Sequence, residues 1–282
     1  MTQEAEKNLT FIKDSTTYAG FGNAYHNAIE KGIRAGDSVI KLEPAWKQFD
    51  GATVIWEPKV TESNVPGRYN FNGMQTTLER EGEKPISQFF NHFKMAGATA
   101  ENALSLLEGR TVLVKEWDNK QNGPKFSFQK LDLSQPVVFG DNYPVIRVNS
   151  KDLELGRLYS QADVVGSQAD KEKHLAQLQA GEIIPVRIRE QAQGGEPRYI
   201  PAFLQLNLQD SKTMGLKIMD SQGIELRQPV IEAKSQELTK TRGMNIGDET
   251  HAKLPESLMR LLEEKNYNAG APRIGGPKNT AA

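Results

Sequence analysis

The sequence contains no cysteine and only four histidines. Without cysteine there can be no disulfide, thiolate zinc site or cysteine nucleophile. The histidines His26, His92, His174 and His251 lie far apart, and no two have the spacing of a metal-binding pair on one helix. We therefore expect neither a bound metal nor a cofactor.

A charge imbalance and long apolar runs are also missing. The chain has 35 Lys and Arg against 36 Asp and Glu, so its net charge of −1 gives no general attraction to nucleic acid or anionic membranes. No stretch approaches the ~18 consecutive apolar residues of a membrane span. The opening "MTQEAEKNLTFIKD" lacks the basic start and apolar core of a signal peptide. These absences predict a soluble, cytoplasmic protein that does not associate with membranes.

Catalytic motifs are absent as well. The "GFGNAYHNA" stretch at 20–28 has two glycines of a phosphate-binding loop, but it lacks the third glycine and the preceding apolar strand. No HExxH, GxSxG, SxxK or EF-hand pattern occurs, and no carboxylates have the spacing of a two-metal site. The sequence thus favours a protein that is not an enzyme, although a site built from distant residues remains an alternative.

The most regular segment is "ENALSLLEGRTVLVKEWDNKQNGPKFSFQKLDL", residues 101–133. Thr99 is suited to cap a helix, and Gly109 stands where a left-handed residue would end it. "RTVLVKEW" and "KFSFQKLDL" then have the composition of two strands joined by a turn-rich loop. The segment predicts a helix-strand-strand unit.

A second unit with the same spacing occupies residues 170–208. Asp170 takes the predicted cap position and Gly181 corresponds to Gly109. "EIIPVRIR" and "FLQLNL" follow as the strands, with a longer loop between them. The repeated spacing indicates a duplicated module.

The predicted fold class is α+β, with duplicated helix-strand-strand modules that form small antiparallel sheets, each covered by a helix on one face. About ten N-terminal residues are expected to be frayed. The predicted organisation is an N-terminal α+β unit (1–66), a first module (67–150), a second module (151–232), a linker (233–254), a short amphipathic helix (255–268) and a disordered tail (269–282).

Strand alternation assigns two faces to each module. In the second module one face is almost wholly apolar and would be covered by the helix. The opposite faces combine cations with aromatic rings and are the candidate binding surface: Lys115, Trp117, Phe128 and Lys130 in the first module, and Arg187, Arg189, Tyr199 and Phe203 in the second.

Several interpretations of this pattern stay open. The faces can be half-solvated surfaces stabilised by cation-π and cross-strand pairs, or the modules can pack against each other and hide the aromatics. They can also form a platform on which bases stack while Lys and Arg bind phosphates. A surface for a protein partner is the remaining alternative.

The helix predicted at 255–268 is a second candidate contact. Leu258, Leu261 and Leu262 lie on one side of it. A helix that follows a flexible linker either docks back on its own domain or reaches a partner.

A longer pattern runs through residues 67–228: a strand with Tyr-x-Phe-Asn, a helix ending in Gly-Arg, a strand ending in Leu-Asp-Leu and a later strand with Leu-x-Ile-x-Asp. Its residues are Tyr69, Phe71, Asn72, Thr99, Ala100, Ala103, Leu106, Leu107, Gly109, Arg110, Val112, Phe128, Leu131, Asp132, Leu133, Leu216, Ile218 and Asp220. This pattern resembles that of an uncharacterised domain family carried by bacterial conjugative transposons and plasmids, which has a strand like YYFNKY, the same Gly-Arg helix end, a strand with Gln-Leu-Asp-Phe and an Asn-Leu-Tyr-Asp strand.

The resemblance implies a genetic context more than a chemistry, because no catalytic residues are assigned to that family. It implies a non-enzymatic accessory protein of a plasmid, phage or conjugative transposon that binds nucleic acid or a nucleic-acid-handling complex. The alternative is an anti-defence or adaptor protein that contacts a host protein through its C-terminal helix. A homo-oligomer is compatible with either.

Overall fold

Three antiparallel sheets and five α-helices form the part of the chain that this computed structural model describes, which is residues 3–49, 51–135, 137, 142–190, 196–234 and the backbone of 273–274. The class is α+β, as predicted.

The helices are α1 (Gln3–Thr16), α2 (His26–Ala35), α3 (Ala100–Leu107), α4 (Leu155–Ser160) and α5 (Gln168–Gln179). The strands are β1 (Val39–Ile40), β2 (Ala45–Phe49), β3 (Ala52–Glu62), β4 (Tyr69–Arg80), β5 (Ile86–Asn91), β6 (Val112–Asp118), β7 (Gly123–Leu131), β8 (Val145–Asn149), β9 (Ile184–Glu190), β10 (Arg198–Leu208), β11 (Thr213–Met219), β12 (Glu225–Arg227), β13 (Val230–Glu232) and β14 (Arg273–Ile274). A π-helical turn (Thr17–Phe21) and a 3-10 turn (Ser150–Asp152) complete them.

Within each sheet, most neighbouring strands are also neighbours in the sequence. The first sheet has the order β14-β2-β3-β4-β5, with β1 also paired to β3. The second sheet is β6-β7-β8, and the third is β12-β11-β10-β9 with β13 beside β11. Neighbouring strands are antiparallel throughout.

The expectation of a frayed N-terminus is wrong for residues 3–10. These residues belong to α1, whose Leu9 and Ile12 are buried against the first sheet. Asn8 fixes the helix to the sheet, because its amide donates to the carbonyl of Tyr69 at 3.0 Å and accepts from the Tyr69 N–H at 2.8 Å. Apart from Asn8, the polar side chains of this segment lie on the helix face away from the core.

The boundary predicted between residues 66 and 67 is not a structural boundary. It falls in the turn between β3 and β4, which pair along their whole lengths from Glu62 opposite Tyr69 to Ala52 opposite Arg80. The N-terminal unit therefore extends through β5. Trp56 links its sheet to the first module, since its indole N–H donates to the carbonyl of Ala100 at 3.0 Å.

The first module has the predicted helix, glycine and hairpin. Thr99 caps α3 by accepting the N–H of Asn102 at 3.3 Å, and Gly109 has the left-handed φ of 72° that a helix stop requires. The third strand, β8, was not predicted. It pairs with β7 from Val145 to Asn149.

The second module repeats this order, but its cap is Ser167 rather than Asp170. The Ser167 hydroxyl accepts the N–H of Asp170 at 3.2 Å, while the Asp170 carboxylate accepts the N–H of Ser167 at 2.9 Å. This is a reciprocal capping box, so the helix begins earlier than the sequence pattern indicated. The short α4 that precedes it was not predicted.

The second sheet is the middle layer of the molecule and contributes apolar side chains to a core on each of its faces. Val112 and Val114 point into the core shared with the N-terminal unit. Leu113, Phe128 and Val148 point into the core shared with the third sheet. A strand with two covered faces has a continuous apolar run, as "TVLV" does.

The two modules meet at the helix-stop glycine of the second. A Cβ at Gly181 would lie 2.5 Å from the Val112 side chain and 3.2 Å from the carbonyl of Thr111. The Arg110 guanidinium donates to the Gly181 carbonyl at 2.6 Å. Leu208 N–H donates to the Thr111 hydroxyl at 2.8 Å, so both sides of the junction carry hydrogen bonds.

The C-terminal elements lie almost wholly outside the described residues. These are the predicted linker (233–254, except 233–234) and the helix at 255–268 with Leu258, Leu261 and Leu262. In the predicted disordered tail, the backbone of Arg273–Ile274 instead pairs with β2, opposite Trp46 and Ala45.

We expect Gly181→Ala to destabilise the protein more than Gly223→Ala. Both glycines have a left-handed φ, 80° and 78°, so both variants lose about 1–2 kcal/mol from the backbone. Only residue 181 also meets the first module, which adds about 1–3 kcal/mol of overpacking. Urea denaturation measures both losses. Equal losses would show that the contact at Gly181 carries no packing constraint.

Candidate functional site

The eight predicted binding residues divide into two groups with different surroundings. Those of the first module lie in or beside contacts between structural units. Those of the second module lie on one face of the third sheet, where Arg187, Arg189 and Tyr199 are exposed and Phe203 is half-buried. We call this second set, Arg187, Arg189, Tyr199 and Phe203, the basic-aromatic face.

Phe128 is not available for binding. It is 2% exposed and lies between the middle sheet and the third sheet, opposite Leu113 on β6 and Val148 on β8. The expectation that its ring lies on an open face is therefore wrong. The alternative that the modules pack together and hide the aromatics describes Phe128 correctly.

Lys130 also belongs to the contact between the modules. Its ammonium donates to the side-chain carbonyl of Asn207 at 2.8 Å. Burial lowers the pKa of Lys130, and the nearby charge of Lys217 lowers it further. Lys130 thus joins the modules and adds a half-buried cation at the end of the third sheet.

Lys115 and Trp117 contact the N-terminal unit. The Lys115 ammonium lies 5.2 Å from the ring centre of Tyr18, and the Lys94 ammonium lies 4.3 Å from that of Trp117. Both distances are within the range of cation-π attraction. Lys115 and one face of the Trp117 ring are therefore engaged by partners in the same chain.

The turn that carries Lys94 has a strained backbone. Phe93 and Ala96 exchange both backbone hydrogen bonds, at 2.9 and 3.0 Å, across a turn in which Lys94 and Met95 have φ of 50° and 54°. Such turns usually contain Asn-Gly, because only short side chains tolerate left-handed φ easily. The strain costs about 1–3 kcal/mol per residue and is typical of functional sites.

The buried side chain of His92 adjoins the same region. Its Nε2 faces the carbonyl of Ala98 and must therefore hold the proton of neutral His92, while its buried Nδ1 has no partner among the described residues. The Tyr18 ring lies edge-on to the His92 ring, with 6.2 Å between the two ring centres. Burial lowers the pKa of His92 to about 4.

The basic-aromatic face is open because its strands present it away from the core. Ile188 and Ala202 on the same two strands are buried beneath it. Arg189 lies opposite Tyr199 across the β9-β10 pair, and Tyr199 is 57% exposed. Phe203 is half-buried further along β10.

The two arginines are exposed, and neither has an ion pair or side-chain hydrogen bond with any residue that the structure describes. Their charge is therefore available to a ligand. From Tyr199 to Asn207 the strand extends about 26 Å at ~3.3 Å per residue. Lys217 lies opposite Gln205 near the far end, so cations occur at both ends of this surface.

A groove of about 500 Å³ borders the face at Arg189 and Tyr199. The loop before α5 forms its other wall and is bonded to β9, since Val165 N–H donates to the carbonyl of Arg187 at 2.8 Å. Lys171 adds another cation. Lys171 was not predicted as a site residue, because a helix cap at Asp170 left the loop before α5 unrecognised. The Ser-x-x-Asp pattern of the capping box could have located this loop.

Other site types receive no support within the described ranges. Among those residues, no three His, Asp or Glu side chains are grouped so that they could hold a metal ion. No described helix combines the length and the apolar character that crossing a bilayer requires.

Comparison with known proteins adds no assignment: no family model matches the chain, and neither curated proteins nor solved structures give a significant match. The resemblance to the conjugative-element family therefore remains a prediction from the sequence.

We expect stability to fall between pH 6.5 and pH 4 through His92. Its folded-state pKa is below the ordinary 6.5, so in this window the unfolded chain binds more protons than the folded chain. Acidification should cost about 3 kcal/mol at this residue. Urea denaturation of the wild type and His92→Gln at pH 7 and pH 4.5 tests this, because glutamine cannot titrate. An identical pH dependence in both proteins would contradict it.

Proposed function

We propose that the protein is a non-enzymatic accessory protein of a mobile genetic element that binds single-stranded nucleic acid on the basic-aromatic face. The supporting observation is that Arg187 and Arg189 stand beside the exposed ring of Tyr199 on one sheet face, without a described acidic partner. The genetic context rests on the resemblance of residues 67–228 alone.

The chemistry of the face fits an unpaired strand. An exposed aromatic ring stacks on a base only if the base is not already stacked in a duplex. Arginine supplies several N–H donors in a planar fork that matches phosphate oxygens. With a net charge of −1 for the whole chain, attraction to phosphates must be local, as it is here.

The separation of rings and charges on the face also fits a strand. Tyr199 and Phe203 lie on one side of β10, and Arg187 and Arg189 lie beside them on β9, which offers bases one protein strand and phosphates the other. The proposal places the protein in the cytoplasm, where the element's nucleic acid is handled. A complex that carries such a strand is an equivalent target for this surface.

The charge-reversal variant Arg187→Glu with Arg189→Glu should abolish binding to a single-stranded oligonucleotide. Replacing both by glutamine should weaken binding and reduce the slope of log affinity against log salt by about 1.4, at ~0.7 for each lost phosphate contact. Fluorescence anisotropy over a salt series measures both. Lys31→Glu with Lys41→Glu is a control, because these exposed lysines of the N-terminal unit lie off the third sheet and the net charge changes equally.

If both double glutamate variants weaken binding equally, the attraction is unspecific and the face is not the site. Unchanged binding in the arginine variant removes the proposal.

Tyr199→Ala should behave differently from the arginine variants. Loss of one stacked base should cost about 1–3 kcal/mol of affinity. The salt slope should stay the same, because the ring contacts no phosphate. A changed slope with unchanged affinity would contradict the assigned role of Tyr199.

A further inference from the structure

A second cavity lies between the N-terminal unit and the middle sheet, away from the basic-aromatic face. It has a volume of about 450 Å³ and is bounded by β5, the turn at Phe93–Ala96 and the β6-β7-β8 sheet. This volume is in the range of small-molecule sites. We call it the β5-β8 cleft.

One wall of the cleft carries a hydrogen-bond chain whose direction is determined. Ser127 must donate its single hydroxyl proton to the Glu116 carboxylate, 2.7 Å away, because an ionised carboxylate only accepts. Ser127 therefore accepts from the Gln129 amide at 3.0 Å. The Gln129 carbonyl oxygen then makes no hydrogen bond within the described structure.

The opposite wall carries two side-chain amides, Gln88 and Asn142, whose N–H donors are left unpaired. The side-chain oxygen of Gln88 accepts the N–H of Tyr143 at 2.7 Å, and that of Asn142 accepts the N–H of Phe89 at 2.9 Å. The backbone donors fix both amide orientations. The NH₂ groups of Gln88 and Asn142 thus make no hydrogen bond to any described residue, and both side chains line the cleft.

The cleft is close to electrically neutral. Arg147 pairs with Glu116 at 3.3 Å, so these two charges largely cancel. No other charged side chain is among its lining residues. The Lys94 ammonium stands at the mouth, over the Trp117 ring. Among the lining residues themselves, polar recognition must come from neutral amides.

Aromatic side chains form part of the apolar lining, together with aliphatic residues such as Val114 and Leu131. Phe90 is buried in the cleft wall, Trp117 is half-buried, and Phe93 is 55% exposed at the mouth. The strained turn holds Phe93 in place, with Lys94 seated over the Trp117 ring. Gly97 follows the turn and packs directly against the end of β5, since a Cβ there would lie 2.4 Å from the Asn91 carbonyl oxygen.

We infer that the β5-β8 cleft binds a nucleobase. The cleft combines aromatic side chains with two unused amide donors and one unused amide acceptor, and these groups suit a planar heterocycle that stacks by its face and forms hydrogen bonds by its edge. The base comes either from a nucleoside in solution or from an unpaired nucleotide of a strand. The inference does not depend on the basic-aromatic face, because a nucleoside needs no phosphate contact.

The test is titration of ¹⁵N-labelled protein with adenosine, guanosine, cytidine and uridine, and with mixed-sequence single-stranded oligonucleotides. The indole signals report on the site, because the chain has three tryptophans and only Trp117 lines the cleft. We expect at least one nucleoside or oligonucleotide to shift the Trp117 signal in a saturable manner. A nucleoside response identifies a base in solution, and a response to oligonucleotides alone identifies a base within a strand.

Two variants separate recognition from folding. Gln129→Met removes the acceptor, and with it the hydrogen bond that Gln129 donates to Ser127, with little change in volume, and should weaken binding about 10-fold. Phe93→Ala should weaken it about 5-fold, whereas Phe11→Ala, at another exposed phenylalanine outside the cleft, should leave it unchanged. Thermal melts confirm that each variant is folded.

The inference is overturned if no ligand shifts Trp117 at millimolar concentration, or if Gln129→Met and Phe93→Ala bind as the wild type does. The double glutamate variant of Arg187 and Arg189 distinguishes the two sites. It should bind nucleosides normally even if strand binding on the basic-aromatic face is lost or never present.

Discussion

The contact between Gly181 and the first module is the constraint on which the packing of the two modules depends. A helix stop needs a left-handed residue, and here that residue also has to lack a side chain because Val112 and Thr111 lie against it. Arg110 completes the contact by bonding the Gly181 carbonyl. One glycine therefore ends a helix and sets how closely two modules approach.

This close approach makes the middle sheet a layer with two covered faces. Leu113 and Phe128 are drawn into the core with the third sheet, while Val112 and Val114 face the N-terminal unit. The third sheet has its helices on one side only, so Arg187, Arg189 and Tyr199 stay exposed. The two modules thus expose different side chains because their neighbours differ, not because their strands do.

Much of the local structure could be predicted from particular residues. Thr99 and Gly109 marked the ends of α3, and the alternating Ile184, Val186 and Ile188 marked a strand with one covered face. The short α4 and β8 lack periodicity over enough residues to be recognised. The cap at Ser167 was missed because Asp170, its partner in the capping box, is itself a good cap residue.

By itself, the sequence determined the longer elements and the parity of their side chains, because helix stops, caps and strand alternation are local properties of the chain. It could not decide that the first hairpin is covered on both faces while the second is covered on one. That choice depends on contacts between residues far apart in sequence, such as Arg110 with Gly181 and Lys130 with Asn207. The β5-β8 cleft is likewise a tertiary feature, because Gln88 and Gln129 come together only when two sheets pack around it.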